Sequence, residues 1–346
     1  MHDGGESLDL TPGTKSARDK GERRIRGLVF IFAVVIVFAL GCKDSRGSPP
    51  SCDSDVSAVK FFEWSENAGP PPLAFVAIGD GGCACPAQRK VADRMLDWHK
   101  KHPYDFVLML GDNVYDNGDT KGGSRALYKT NFDKYYRALK DRGVEFHAVL
   151  GNHDVQTRHG KDEISAAGRF GFMTNKGYYN FAPRKRINGI SLISFFALNS
   201  NAMIDGKKDD EQITWLRKSL TESGSVWKIA VFHHPIYSPI TKHKPETEFR
   251  NEVEKVIVDG GIRITLSGHN HIYDRMKSQK GVVHFTSGGG VARLYNVRMN
   301  DITACASKSH HFMYFEVYPN EIRFWAIAAD GLPIDAGIIK KEGFSD

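Results

Sequence analysis

From Leu73 onward the chain alternates between short, mostly apolar runs and amphipathic segments, and five of the apolar runs end in residues able to do chemistry. "LAFVAIGDGG" runs into Asp80, "FVLMLGDNVY" into Asp112, and "EFHAVLGNHD" into Asn152 and His153. "WKIAVFHHP" delivers His233 and His234, and "IRITLSGHNH" delivers His269 and His271. Predominantly apolar runs of this length read as strands buried on both faces. Between them, "AQRKVADRMLDWHKKH" places Val91, Met95 and Trp98 on one face, and "DEQITWLRKSL" gathers Ile213, Leu216 and Leu220. That spacing predicts amphipathic helices. Strands alternating with helices predict an α/β core, and in such sheets sites form at the carboxyl ends of strands.

One strand ending in Gly-Asp is ordinary turn chemistry, and Asn-His-Asp alone is a common helix cap. Five such ends in order, each punctuated by Gly or Pro, point to one convergent site. Its inventory is two aspartates, one asparagine, three or four histidines and, through Tyr115, a phenol. Mixed oxygen and imidazole donors suit Fe, Zn or Mn rather than a thiolate-bound ion, and they are too many for one metal. Two metals about 3.5–4 Å apart form a clamp for displacement at phosphorus. The expected reaction is hydrolysis of a phosphate ester.

The ends of the chain add a location. Arg23, Arg24 and Arg26 precede the apolar run Leu28–Leu40, which stops at Gly41-Cys42. That run is too short for the roughly 20 residues of a membrane span and fits the core of an export signal. Residues 1–42 are therefore expected to be a signal of lipoprotein type, lipidated at Cys42; an uncleaved anchor or an ordinary cleaved signal are the alternatives. Residues 43–72, rich in Ser, Pro, Gly and Asp, read as a flexible linker. Residues 73–346 are expected to form the catalytic domain. Cys52, Cys83, Cys85 and Cys305 can form disulfides in an oxidising compartment, but their pairing cannot be deduced. Cys83-Ala84-Cys85 has no second cysteine pair with which to build a zinc site. The net charge of +6 is diffuse, and no basic cluster interleaved with aromatics argues for nucleic acid.

Gly79-Asp80-Gly81-Gly82, Gly111-Asp112-Asn113, Gly151-Asn152-His153-Asp154, His233-His234-Pro235 and Gly268-His269-Asn270-His271 resemble the ordered blocks of the calcineurin-like metallophosphoesterases. With Tyr115, the chain is similar to the small purple, tartrate-resistant type of acid phosphatase, over roughly residues 73–346. The tail "FMYFEVYPNEIRFWAIAADGLPIDAGII" fits that family's closing strands. The resemblance implies a four-layer α/β/β/α sandwich and hydrolysis of phosphate monoesters by metal-bound hydroxide. The substrate would be a phosphorylated small molecule or a phosphoprotein. It further implies a first metal position, Fe(III), held by Asp80, Asp112, Tyr115 and His271. A second position, Fe(II), Zn(II) or Mn(II), would be held by Asp112, Asn152, His233 and His269, with Asp112 as the bridge.

By the same resemblance His153 contacts phosphate and protonates the leaving alkoxide, Asn152 also faces substrate, and His234 lies beside the ligands on the substrate side. His243 stands one residue beyond the family's usual position for a second substrate-side catalytic histidine; a catalytic role and an exposed loop position both remain open. Two features depart from the pattern. Gly81 replaces a bulky residue after the first aspartate, and "CACP" is unusual. The Gly-rich "SGGG" at 287–290 either lets backbone approach the substrate or is a simple turn. A phenol with a pKa near 10 is a poor ligand unless the ion is hard and highly charged, so Tyr115 argues for Fe(III) and for activity at acidic pH. The competing readings are a phosphodiesterase or nucleotidase with two divalent ions, and a non-catalytic phosphate-binding surface lipoprotein.

Overall fold

Strands β2 (Leu73–Ile78), β3 (Phe106–Met109) and β4 (Glu145–Ala148) run parallel, and β2 and β3, apolar throughout, are buried at every residue. β14 (His311–Val317) adds antiparallel to β2, and β15 (Glu321–Ala328) and β16 (Pro333–Lys340) follow as a meander. The sheet order is β16-β15-β14-β2-β3-β4. A second parallel group is formed by β8 (Ile193–Ala197), β9 (Trp227–Val231), β10 (Ile264–Ser267) and β12 (Val283–Ser287). It is extended by β5 (Tyr179–Phe181) at one edge. At the other lie β11 (Tyr273–Met276), β13 (Thr303–Ser307) and β1 (Ser51–Cys52). A small hairpin of β6 (Arg186–Ile187) and β7 (Ile190–Ser191) turns at Asn188 and Gly189, both with positive φ, as two-residue hairpins prefer. The computed structural model describes residues 51–52, 70–115, 126–156, 177–240, 246–291 and 293–341, all within the unit Arg46–Asp346.

The two large sheets face each other through aromatic side chains. Phe75 meets Phe195 edge-on at 5.1 Å, and Phe285 lies 4.9 Å from Phe324. Helix α1 (Pro86–Lys101) begins with proline in its first turn and covers the outer face of the first sheet. It buries Val91 and Met95, while Trp98 packs on Tyr314 at 5.8 Å. Helix α2 (Lys134–Lys140) lies beside it and contributes buried Tyr135, Tyr136 and Leu139. On the opposite side, α3 (Asp210–Glu222) is capped by the Asp209 carboxylate, which accepts from Gln212 N at 2.9 Å. With α4 (Thr247–Asp259) it builds a second core, in which Leu216, Leu220, Phe249 and Val253 meet Phe196, Ala230 and Phe232 of the second sheet.

The result is the expected α/β/β/α sandwich. The helices expected around 87–102 and 210–220 form at Pro86–Lys101 and Asp210–Glu222. Two residues of the segment read as linker, Ser51 and Cys52, pair with β13, and Cys52 is bonded to Cys305. That segment is therefore fastened to the sheet at this point. The second disulfide joins Cys83 to Cys85.

Candidate metal centre

All five chemically loaded segments leave the carboxyl ends of parallel strands. Asp80, Asp112 and Asn152 follow β2, β3 and β4 of one sheet, while His233 and His269–His271 follow β9 and β10 of the other. The site thus lies where the two sheets meet at one end of the sandwich. The chain must turn sharply there, and Asp80, Asp112 and His269 all adopt left-handed backbone, with φ of 60°, 50° and 65°. Such conformations persist at functional sites only when the surroundings over-determine them. Glycines admit the close approach. A Cβ on Gly111 (φ 88°) would lie 2.4 Å from His233 Nδ1, and one on Gly151 would lie 2.2 Å from Asp112 Oδ1.

The side chains converge. Asn152 Oδ1 is 3.0 Å from both His233 Nε2 and His269 Nδ1. His233 Nε2 lies 3.4 Å from Asp112 Oδ1, and His271 Nε2 lies 3.4 Å from Asp80 Oδ1. The Tyr115 hydroxyl sits 3.2 Å from Asp80 Oδ1 and 3.2 Å from Asp112 Oδ2, between the two carboxylates. Two of the imidazoles have their far nitrogens committed elsewhere: His233 Nδ1 is 2.8 Å from the Leu110 carbonyl, and His271 Nδ1 is 2.7 Å from the Arg293 carbonyl. Donation to a backbone carbonyl at Nδ1 leaves Nε2 facing the carboxylates, the arrangement used to orient ligating histidines. The Asp80 and Asp112 carboxylates are 0% and 2% exposed, so their charges need a counter-charge.

Burial alone would push the Asp112 carboxyl up and the His233 ring down. The opposite charge of the other overrides it, so Asp112 lies below the usual carboxylate range and His233 above the usual imidazole range. Tyr115 is driven well above its ordinary value by burial and then by the Asp80 and Asp112 charges. It is a neutral donor unless a strong cation joins it. Two carboxylates, a phenol, an amide carbonyl oxygen and three imidazoles, two of them oriented through backbone carbonyls, form a donor set that fits two hard or borderline cations.

The remaining expected residues fall as follows. The His153 ring is part-exposed, with Nε2 4.0 Å from Asp112 Oδ2 and its face 4.4 Å from the Tyr115 ring. Its backbone N–H donates to Asp112 Oδ1 at 2.8 Å. His234 is 1% exposed; its Nδ1 is 2.8 Å from Ser200 Oγ, and its ligand atom lies within 4.8 Å of those of His233 and His269. His243 and Cys42 lie outside the described residues. The Ser287–Gly290 segment packs beneath the Asp80 turn: Gly290 N–H donates to Gly79 O, and Ser287 O accepts from Gly79 N at 2.7 Å. Its role is close approach of backbone to backbone.

Sequence reading passed over the residues that hold these turns. Asp154, fully buried, accepts from Gly151 N at 2.8 Å, Asn113 N at 2.9 Å, Asn113 Nδ2 at 2.8 Å and Val114 N at 3.2 Å. It ties the β3 and β4 ends together, and Asn113 is its partner rather than a bare turn residue. Asn131 donates to both Gly82 O and Tyr115 O at 3.0 Å. Tyr295 stacks on His271 at 4.3 Å and gives its N–H to the His271 carbonyl. Only Asp154 carried a local signal, because it closes the Asn-His-Asp triplet.

A two-sheet sandwich flanked by helices, with Asp, Asn and His gathered at the carboxyl ends of its parallel strands, is the architecture of a metallophosphoesterase. The chain belongs to the calcineurin-like phosphoesterase family, whose model matches residues 73–273. It is accordingly a hydrolase of phosphoric esters, as the sequence led us to expect. It is similar to tartrate-resistant acid phosphatase type 5 of Mus musculus, 26% identical over 250 residues, covering 64% of this chain and 73% of that protein. It is also similar to purple acid phosphatase 7 of Arabidopsis thaliana, 25% identical over 238 residues, with 63% and 70% covered. Among solved structures, GAP50, the anchor in the inner membrane complex of Plasmodium, shares the fold at a TM-score of 0.68 and 18% identity, covering 78% of this chain and 89% of that one.

Proposed function

We propose that the protein is a dinuclear metal-dependent phosphatase that hydrolyses phosphate monoesters in the manner of purple acid phosphatases. Asp80, Asp112, Tyr115 and His271 would hold one ion, and Asp112, Asn152, His233 and His269 the other, with Asp112 shared. The observation that carries the reading is the Tyr115 hydroxyl at 3.2 Å from both Asp80 and Asp112. As a neutral group the phenol donates to these two buried carboxylates; with a hard trivalent cation held by them, the same oxygen would become a favoured ligand. The same observation weighs against a diesterase with two divalent ions, and the presence of every donor weighs against a non-catalytic role.

When bound, an Fe(III)–M(II) pair supplies Lewis acidity and an acidified water, and it compensates the negative charge that builds on phosphorus-bound oxygens. The chain's own residues do the rest. Asp112 would be shared by the two positions, and its carboxylate is fixed by the His153 backbone N–H. The part-exposed His153 ring stands on the rim beside Tyr115, where it can contact the substrate phosphate and give a proton to the departing alkoxide. Asn152 and the buried His234, held by Ser200, line the substrate side. His243 is proposed to join them only as a further substrate-side histidine.

We also propose export to the cell envelope, through the 1–42 signal and lipidation at Cys42, with 73–346 as the catalytic domain. Two disulfides support an oxidising compartment. Among the described residues no helix is long and apolar enough to cross a membrane. The test of the function is a panel of phosphate monoesters and diesters across pH. The wild type should prefer monoesters with an acidic optimum, and Asp112→Asn should lose both bound metals and all turnover. An Asp112→Asn protein with full activity would overturn the assignment.

A further inference from the structure

The unusual Cys83-Ala84-Cys85 segment remains unused by the reaction. It lies in the loop that leads from Asp80 into α1, three to five residues past that carboxylate. The disulfide encloses a single residue, Ala84, whose φ of 52° is left-handed, a conformation disfavoured for any residue with a Cβ. Both cysteines are part-exposed and Ala84 is exposed, so an attacking thiolate has access. Cys305 of the other disulfide is fully buried in β13 and is bonded to a residue 253 positions away. Exposed and strained disulfides are the labile ones; buried ones that tie distant elements together resist reduction.

The same loop carries a connection to the site. Gly82 O accepts the Tyr115 N–H at 3.1 Å and the Asn131 Nδ2 at 3.0 Å, and Asn131 donates as well to Tyr115 O. A Cβ on Gly82 would lie 2.1 Å from Asn113 O, which shows how closely the two backbones press together. Ala84 N–H donates to Gln88 Oε1 at 2.8 Å, and buried Gln88 donates in turn to Asn131 O. On the far side, Cys83 Sγ rests 3.8 Å from Gly290 O. The cysteine loop, Asn131 and the Asn113–Tyr115 segment are thus one interlocked unit.

We propose that Cys83–Cys85 is a redox-labile disulfide opened by a low-molecular-weight monothiol, and that its closure holds the Gly82–Tyr115 backbone bond that sets Tyr115 between Asp80 and Asp112. In the first step a thiolate attacks one sulfur, breaks the Cys83–Cys85 bond and forms a mixed disulfide, while the other cysteine leaves as a thiolate and takes a proton. A second monothiol then releases the small disulfide and leaves a second protein thiol. Two electrons and two protons have moved to the protein. The effect on metal holding rests on the function proposed above; the lability of the bond does not.

The full oxidised protein would be equilibrated in graded mixtures of reduced and oxidised glutathione, quenched by alkylation and mapped by peptide mass spectrometry. Cys83 and Cys85 should become alkylated at a reducing ratio at least 100-fold lower than Cys52 and Cys305. In that half-reduced state, hydrogen exchange at the Tyr115 amide should speed up at least ten-fold while strands β2 and β3 stay protected. Release of iron to a chelator should accelerate by a similar factor, and a C83S/C85S double variant should reproduce both changes. Reduction of the two disulfides together, or of Cys52–Cys305 first, would overturn the lability. Unchanged Tyr115 exchange after reduction would overturn the coupling. A protein that binds no iron but shows the selective reduction and the faster exchange would refute the proposed function and leave this inference standing.

Discussion

His153 and the Asp112–His233 pair make the sharpest predictions at the scale of single residues. If the His153 ring protonates the leaving group, His153→Ala should cost about 10²–10⁴-fold in turnover of alkyl phosphates. The loss should be small for aryl phosphates whose phenols leave without a proton; a leaving-group series measures it directly. The Asp112–His233 pair predicts a pH dependence of the metal-free protein. A lowered carboxylate contributes stability that is present above its ordinary pKa of about 3.9 and lost as pH falls below it. A raised imidazole contributes stability present below its ordinary pKa of about 6.5 and lost as pH climbs through its higher folded value. The pair's contribution is therefore full between about pH 4 and pH 6.5 and falls away on both sides. Thermal melts of metal-free wild type against Asp112→Asn should differ most in shape outside that window, with the variant flatter. Binding of an ion at His233 must also displace a proton, so metal should be stripped more readily at acidic than at neutral pH.

At the scale of elements, the site depends on turns that hold strand ends in register. Asp154 accepts four donors from the β3 and β4 ends with no exposure to water. Asp154→Asn keeps the shape but removes a charge and must turn an amide N–H₂ toward donors, leaving buried groups unpaired at about 1–3 kcal/mol each. Metal affinity should fall about 10–100-fold, as expected when a residue orienting the ligands is lost. Calorimetry should register that loss together with a lower melting temperature. The elements themselves were legible. The apolar runs at 73–78 and 106–109 could be read as buried strands because nothing polar interrupts them, and α1 and α3 because their apolar spacing is helical. The proposed ligands were legible because they stand within a few residues of the ends of such strands. What lay hidden was long-range: Asn131 reaching Gly82 and Tyr115, Tyr295 over His271, and Ser200 beneath His234. None of these sits in a motif, and their roles exist only once distant loops meet.

For the whole molecule, the sandwich explains why the donors come from both sheets. Three parallel strands of one and two of the other lead into the site, which therefore straddles the interface of the sheets. The sequence showed five strand ends but not their division between two sheets, because strand pairing depends on contacts remote along the chain. It also could not pair the cysteines; Cys52–Cys305 spans nearly the entire described chain and fastens β1 to β13. This frame is proposed to hold an iron-containing pair with Tyr115 as a ligand. Metal analysis and an optical spectrum of purified wild type beside Tyr115→Phe test it most directly. The account predicts about two metal ions per chain, at least one of them iron, and a visible phenolate-to-iron band that disappears in Tyr115→Phe. A colourless, iron-free wild-type protein that hydrolyses phosphate monoesters at full rate would contradict it.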